Sequence, residues 1–127
     1  MNNIIIIEDD AIVLSYLKFL IKKKFNSTIY TANNGEDGLK LLTQVVPDII
    51  LLDLYMPGIG GVEFLELLRR NEKFAKTPVL IISSEKDSVI ITKLIGLGIT
   101  DYILKPINPE ITYERVGKVM KQINHVQ

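Results

Sequence analysis

With no cysteine in the chain and a single histidine, His125, close to its end, site chemistry here falls to carboxylates, hydroxyls and amines. His125 is expected in a solvated, frayed terminus, without a catalytic or metal role. Four groups of the right type each close a short apolar run. Glu8-Asp9-Asp10 follows Ile4 to Ile7, and Asp53 follows Ile49 to Leu52. Ser83-Ser84 follows Val79 to Ile82, and Lys105 follows Tyr102 to Leu104. Carboxylates crowded together repel one another unless a cation joins them. Without His or Cys that cation should be hard and oxygen-loving, and Mg²⁺, which uses one or two carboxylates with waters and phosphate oxygens, is the natural candidate. A lysine can neutralise part of a phosphoryl group as a point charge, and a hydroxyl can donate to one of its oxygens. A carboxylate can itself accept the phosphoryl group as an aspartyl-phosphate. The set describes phosphoryl transfer by positioning and charge stabilisation.

Each residue alone has a plainer reading. Glu8-Asp9-Asp10 could cap a helix with favourable first-turn acids, and Asp10 is divided between that duty and the site. Asp53 could be a turn acid, Ser83 a cap and Lys105 a solvated charge. Their joint delivery to one place depends on the elements that carry them. The run Ile4 to Ile7 is β-branched and too short for a helix, so it reads as a buried strand. From Ala11 to Phe25 the period changes: Val13, Tyr16, Leu17, Leu20 and Ile21 mark one face of a helix. Lys18 and Lys22 to Lys24 fall outside that stripe and read as a solvated helix end rather than a binding patch. Thr28 to Ala32 is a second strand, Asn33-Asn34-Gly35 a turn, and Glu36 to Val45 a helix stopped by Pro47. The third strand, Ile49 to Leu52, runs into Asp53 and then the Pro- and Gly-rich loop Met56 to Gly61. Helix three spans Val62 to Asn71, strand four Val79 to Ile82, helix four Asp87 to Gly96 and strand five Tyr102 to Leu104. Gly96 or Gly98 closes helix four, and Pro109 opens helix five, whose apolar stripe is Val116, Val119, Met120 and Ile123.

Five strands alternating with five helices predict an α/β fold with right-handed crossovers and a parallel sheet covered on both faces. Ligands bind outside the carboxyl ends of such strands, where the acids, the serine and the lysine stand. The 127 residues suit a single domain, 1–127. Hydrophobic residues make up 47% of the chain, enough for one core. Lys+Arg and Asp+Glu are equal at 15 each, so nothing draws the chain to nucleic acid or to an anionic membrane. No apolar run is long enough to span a bilayer, no secretory signal opens the sequence, and a soluble cytoplasmic protein is expected.

The stretch Asp53-Leu54-Tyr55-Met56-Pro57-Gly58-Ile59-Gly60-Gly61-Val62-Glu63, with Glu8-Asp9, Ser83, Tyr102 and Lys105-Pro106, resembles the receiver domains of two-component response regulators, and the resemblance covers the whole chain. It implies a flavodoxin-like (βα)5 doubly wound sheet of order 2-1-3-4-5. It implies phosphorelay signalling in which Asp53 accepts a phosphoryl group from a sensor histidine kinase or a histidine phosphotransfer protein. Such a domain is not an enzyme with a diffusing substrate; it catalyses only its own phosphorylation and slow dephosphorylation. By the same resemblance Asp9, Asp53 and the backbone carbonyl of Tyr55 would ligate Mg²⁺ (or Mn²⁺), with Glu8 acting mainly through bound water. Ser83 and Lys105 would contact phosphoryl oxygens, and Tyr102 would turn inward as Ser83 moves. The Lys105-Pro106 bond would be cis, and Tyr55 and Glu85 would tune dephosphorylation. The output face would be helix four, strand five and helix five, for an unknown output protein or a phosphorylation-dependent homodimer.

Departures are modest. Glu8 replaces the commoner Asp, and Gly60 stands where Asn or Asp is frequent, which predicts a looser loop. Helix four carries Val89, Ile90, Ile91, Leu94, Ile95 and Leu97, apolar around much of its circumference. This fits either a deep groove or an exposed partner surface. An aspartyl phosphatase usually has a second acid at the position of Tyr55, and a flavin-binding relative of this fold would not place three acids after strand one. The complete acid, serine and lysine set speaks against a pseudo-receiver. A relay piece excised from a larger regulator or hybrid kinase is the alternative to a protein working alone, which Met1 directly before strand one favours.

Overall fold

The computed structural model describes residues 2–126, and the side chains of His125 and Val126 lie outside what it describes. The elements follow the expected alternation: β1 (Asn2–Ile7), α1 (Ala11–Lys24), β2 (Ser27–Ala32), α2 (Gly35–Leu41), β3 (Ile49–Leu52), α3 (Gly61–Arg70), a short 3₁₀ turn (Glu72–Phe74), β4 (Val79–Ser83), α4 (Ser88–Gly96), β5 (Asp101–Leu104) and α5 (Pro109–Val126). The five strands form one sheet in the order β2-β1-β3-β4-β5, and every neighbouring pair is parallel.

Alternation along the strands divides the core in two, because successive side chains point to opposite faces. Ile5, Ile7, Ile50, Leu52, Val79 and Ile81 pack with Phe64, Leu65 and Leu68 of α3 and Leu94 of α4. Ile4, Ile6, Ile49, Leu51, Leu80 and Ile82 pack with Leu17 and Ile21 of α1 and with Val116, Val119 and Met120 of α5. Burying each such aliphatic side chain contributes about 1.5–3 kcal/mol. This doubly covered sheet explains why the strands read as unbroken apolar runs.

Two local readings change and one alternative is decided. The sheet-facing stripe of α1 is Val13, Leu14, Leu17, Leu20 and Ile21, and Tyr16 is 40% exposed. At about 100° per residue Tyr16 sits at the margin of a face centred on Leu17, while Leu14 falls inside it. Helix α2 ends at Leu41, not Val45. There the Thr43 and Gln44 N–H groups bond to Lys40 and Leu41 carbonyls, and the Thr43 hydroxyl donates to the Lys40 carbonyl at 2.7 Å, so the chain tightens into turns. At the end of α4 it is Gly98, with φ +77°, that closes the helix. Its N–H bonds to the Ile95 carbonyl, and Ile99 N–H to that of Leu94, the paired bonds of a Schellman cap.

Candidate phosphoryl-transfer site at the carboxyl edge of the sheet

The register of the strands assembles the site. Ile7 pairs with Leu52, so the next residues, Glu8 and Asp53, leave the sheet side by side. The ladder continues one step into each: Asp53 N–H bonds to the Ile7 carbonyl and Glu8 N–H to the Ala32 carbonyl, both at 3.0 Å. On the other side Ser83 pairs with Leu104, and Lys105 N–H bonds to the Ser83 carbonyl at 2.9 Å. Carboxylate oxygens of Glu8, Asp9 and Asp53 all lie within 4.8 Å of one another. Glu8 is 1% exposed and Asp53 5%, whereas Asp9 faces solvent.

Lys105 reaches into this cluster, with Nζ 2.8 Å from Glu8 Oε1 and 3.6 Å from Asp53 Oδ1. The closer contact is an ion pair that meets the buried Glu8 Oε1. One ammonium therefore faces three carboxylates. Burial, then the charge of Glu8, pushes the Asp53 carboxyl from 3.8 up to about 7, against the opposing pull of Lys105. Burial by itself would lower the Lys105 ammonium, but Glu8 and Asp53 outweigh it and the net shift is upward. An acid cluster with fewer cations than carboxylates suits a hard divalent cation, and the all-oxygen donor set suits Mg²⁺ or Mn²⁺.

The hydrogen bonds sort the three N-terminal acids. Asp10 caps α1, with Oδ1 accepting from Ile12 N–H at 2.9 Å and Val13 N–H at 3.2 Å, and it is absent from the cluster. Glu8 Oε2 accepts from Asp10 N–H at 3.1 Å. Asp53 Oδ1 accepts from Leu54 N–H at 2.8 Å. Ser83 is buried, and its Oγ accepts from Glu85 N–H at 3.2 Å. Tyr102 is half-buried and its hydroxyl donates to the Glu85 backbone carbonyl at 2.7 Å. Burial first, with the nearby charges of Glu85 and Asp53, raises the Tyr102 phenol against the opposing effect of the nearby Ser83 hydroxyl. The Lys105-Pro106 bond is cis.

Tyr55 and Glu85, thirty positions apart, meet across the mouth of the site: the Tyr55 hydroxyl donates to Glu85 Oε1. Glu85 Oε2 in turn accepts from Lys86 and Asp87 N–H, each at 3.0 Å, and so fixes the turn before α4. No pattern in the sequence signals this bridge, nor the role of Gly61, whose missing side chain lets α3 start against the Asp53 main chain. A Cβ there would lie 2.7 Å from Leu54 Cα and nearer still to the Asp53 carbonyl oxygen. Two further residues carry no sequence signal: Arg69 donates to the carbonyls of Leu97, Phe74 and Gly98 at 2.8–3.0 Å, and Arg115 donates to the Tyr102 carbonyl.

Helix α4 buries one side of its apolar surface and exposes another. Leu94 is fully buried and Ile90 and Leu97 pack on the core, while Val89 is 76% and Ile95 64% exposed. Beside it, Tyr102, Leu104, Ile91, Ile111 and Arg115 line a groove of about 390 Å³ between α4, β5 and α5. The lysines ending α1 are exposed, with Lys23 over the Phe19 ring and Lys24 over Tyr113. Among the described residues no helix is long and apolar enough to cross a membrane.

Comparison with known proteins agrees with this geometry. The chain is 30% identical over 122 residues to the transcriptional regulatory protein AfsQ1 of Streptomyces coelicolor, which covers 96% of this chain and 52% of that one. It is 32% identical over 120 residues to the cell cycle response regulator CtrA of Brucella ovis, covering 94% and 50%. The chain thus spans about half the length of these relatives. Among solved structures, a CheY-like response regulator receiver domain protein from Methanospirillum hungatei superposes with a TM-score of 0.90 at 19% identity, over 100% of this chain and 99% of that one. The family model described as response regulator receiver domain matches residues 4–116, and the chain belongs to that family of two-component signalling domains.

Proposed function

We propose that Asp53 is the phosphoacceptor of this receiver domain, and that residues 1–127 form one unit working as a phosphorylation-controlled binding module. The observation that carries the reading is the buried Asp53 carboxylate sharing one edge with Glu8, Asp9 and Lys105. Asp9 and Asp53, with the Tyr55 carbonyl, would hold Mg²⁺ directly, and Glu8 would hold it through water. Bound there, the cation supplies positive charge to the acid cluster and to the phosphoryl oxygens.

In the transfer a carboxylate oxygen of Asp53 forms the new O–P bond while the P–N bond of a donor phosphohistidine breaks, and the departing imidazole nitrogen takes up a proton. The acceptor must be ionised, so whatever lowers Asp53 from its position near 7 favours the reaction. Lys105 neutralises one phosphoryl oxygen and the Ser83 hydroxyl, whose oxygen accepts from Glu85 N–H, turns to donate its own proton to another. That move opens space toward Tyr102, whose bond to the Glu85 carbonyl ties it to the same turn. The change would be read on the α4-β5-α5 face by an output protein or a second copy of the chain. The donor would be a sensor histidine kinase or a histidine phosphotransfer protein. Tyr55, braced on Glu85, would restrict the water that attacks the acyl phosphate.

Intact mass after incubation with acetyl phosphate and Mg²⁺ tests this. One phosphoryl adduct is expected, requiring both Mg²⁺ and Asp53, lost in hydroxylamine and absent in Asp53→Asn. No adduct, together with no beryllofluoride binding, would reduce the chain to a pseudo-receiver. A phosphorylated lifetime unchanged in Tyr55→Asn would refute the role given to Tyr55.

A further inference from the structure

The loop from Leu54 to Gly60 joins the acceptor to α3, and its Gly60 predicts slackness. The structure ties it down instead, and the tie comes from α2. The start of α2 is already capped without Glu36: Asn34 Oδ1 accepts from Asp37 N–H at 2.7 Å, and Asn34 Nδ2 donates to Asp37 Oδ2 at 3.1 Å. Glu36 is left to reach across, and its Oε1 accepts from the Ile59 N–H at 2.6 Å. Two glycines make room for this contact. Gly58 has φ +75°, and a Cβ on it would stand 2.7 and 2.8 Å from the two Glu36 carboxylate oxygens. A Cβ on Gly35 would stand 2.5 Å from the Ile59 carbonyl oxygen. At the far end the Gly61 N–H bonds to the Leu54 carbonyl at 2.8 Å. The loop is therefore gripped at Gly58–Ile59 and again at Gly61–Leu54, with Tyr55 between the two grips.

We infer that Glu36 is a positioning residue for the divalent-cation site: the bond its side-chain oxygen accepts from Ile59 N–H holds the loop so that the Tyr55 main-chain carbonyl is presented to the acids. The inference rests on the site reading proposed above. The plainer role, a first-turn acid favourable to the helix dipole, needs no contact with Ile59. Outer partners that orient a metal ligand characteristically change metal affinity when removed, and this one acts on a backbone ligand through the loop that carries it.

The test compares wild type, Glu36→Ala and Glu36→Gln, with Mg²⁺ itself as the probe. Mg²⁺ affinity is read by isothermal titration, and exchange of the Ile59 amide is read by NMR in chelator. Glu36→Ala should bind Mg²⁺ about tenfold more weakly, the low end for such partners because the bond is exposed, and its Ile59 amide should exchange faster. Glu36→Gln keeps an oxygen that can accept from Ile59 N–H, and should recover most of both. Wild-type Mg²⁺ affinity in Glu36→Ala would overturn the inference and leave the site reading intact. Equal losses in Glu36→Ala and Glu36→Gln would also overturn it, by assigning the effect to charge. A wild-type chain that binds no Mg²⁺ would overturn the site reading and the inference with it.

Discussion

Replacing Asp53 by Asn should stabilise the metal-free protein while abolishing its chemistry. Asp53 lies in a cluster where Glu8 and Asp9 offer like charge, opposed by the Lys105 ammonium and one bond from Leu54 N–H. Its carboxyl is raised from 3.8 to about 7, with burial the largest cause. A raised carboxyl means that the native state binds its proton more tightly than the unfolded chain does. The associated stability is fully present below pH 3.8, where both states are protonated, and is lost as pH rises through about 7. A displacement of roughly three pH units, at about 1.4 kcal/mol each, sets an upper value of about 4 kcal/mol for the penalty of ionising Asp53 in the folded protein. Relaxation and water entry reduce it, so a gain of roughly 2–4 kcal/mol is expected for Asp53→Asn at about pH 8 in chelator. The gain should shrink steadily toward about pH 4. Denaturant unfolding of both proteins across that range, with chelator and with saturating Mg²⁺, supplies the measurement. Mg²⁺ should close the gap by stabilising the wild type alone. Equal stabilities and parallel pH profiles in chelator would refute the claim that uncompensated negative charge is stored at this edge.

Mg²⁺ at about a hundred times its dissociation constant should stabilise the wild type by roughly 2.7 kcal/mol, an effect that a thermal scan should find much reduced in Asp9→Asn. Gly61→Ala should destabilise by about 1–3 kcal/mol, because its Cβ would meet Leu54 Cα at 2.7 Å, a backbone clash that no rotamer change can relieve; unfolding at wild-type denaturant concentration would contradict the close approach of α3 to Asp53. Arg69→Ala should cost about 1–3 kcal/mol and speed amide exchange at the end of α4, since the Leu97 and Gly98 carbonyls there lose a donor; unchanged exchange there would refute the anchoring role.

Much of this protein is legible residue by residue. The β-branched run Ile4–Ile7 and the runs before Asp53 and Ser83 are strands because they are too short for a buried helix, and a doubly covered sheet buries such segments. Asp10 sits where α1 needs a cap and serves as one, while Asn34, read as a turn residue, and Asp87, read as the start of helix four, also prove to be caps. The acid, hydroxyl and amine groups are recognisable as one chemistry because each ends a strand, and a parallel sheet delivers strand ends to one edge. The sequence also carries enough of a family pattern to indicate the strand order.

Contacts between side chains distant in the chain come from the folded structure alone. The pairing of Ile7 with Leu52 sets Glu8 beside Asp53, and no local pattern encodes that register. Tyr16 left its expected face by the geometry of packing on the sheet, and α2 stopped early where Thr43 turned its hydroxyl back on the Lys40 carbonyl. Glu36 reads in sequence as one more first-turn acid, and Tyr55 and Glu85 as two positions that tune dephosphorylation, with no sign that they touch; their partners appear once the α2, β3 and β4 ends converge. Helical and strand periods are properties of neighbours in sequence. The reach of a carboxylate across a loop depends on where the backbone has already been carried by the folding of the rest of the chain.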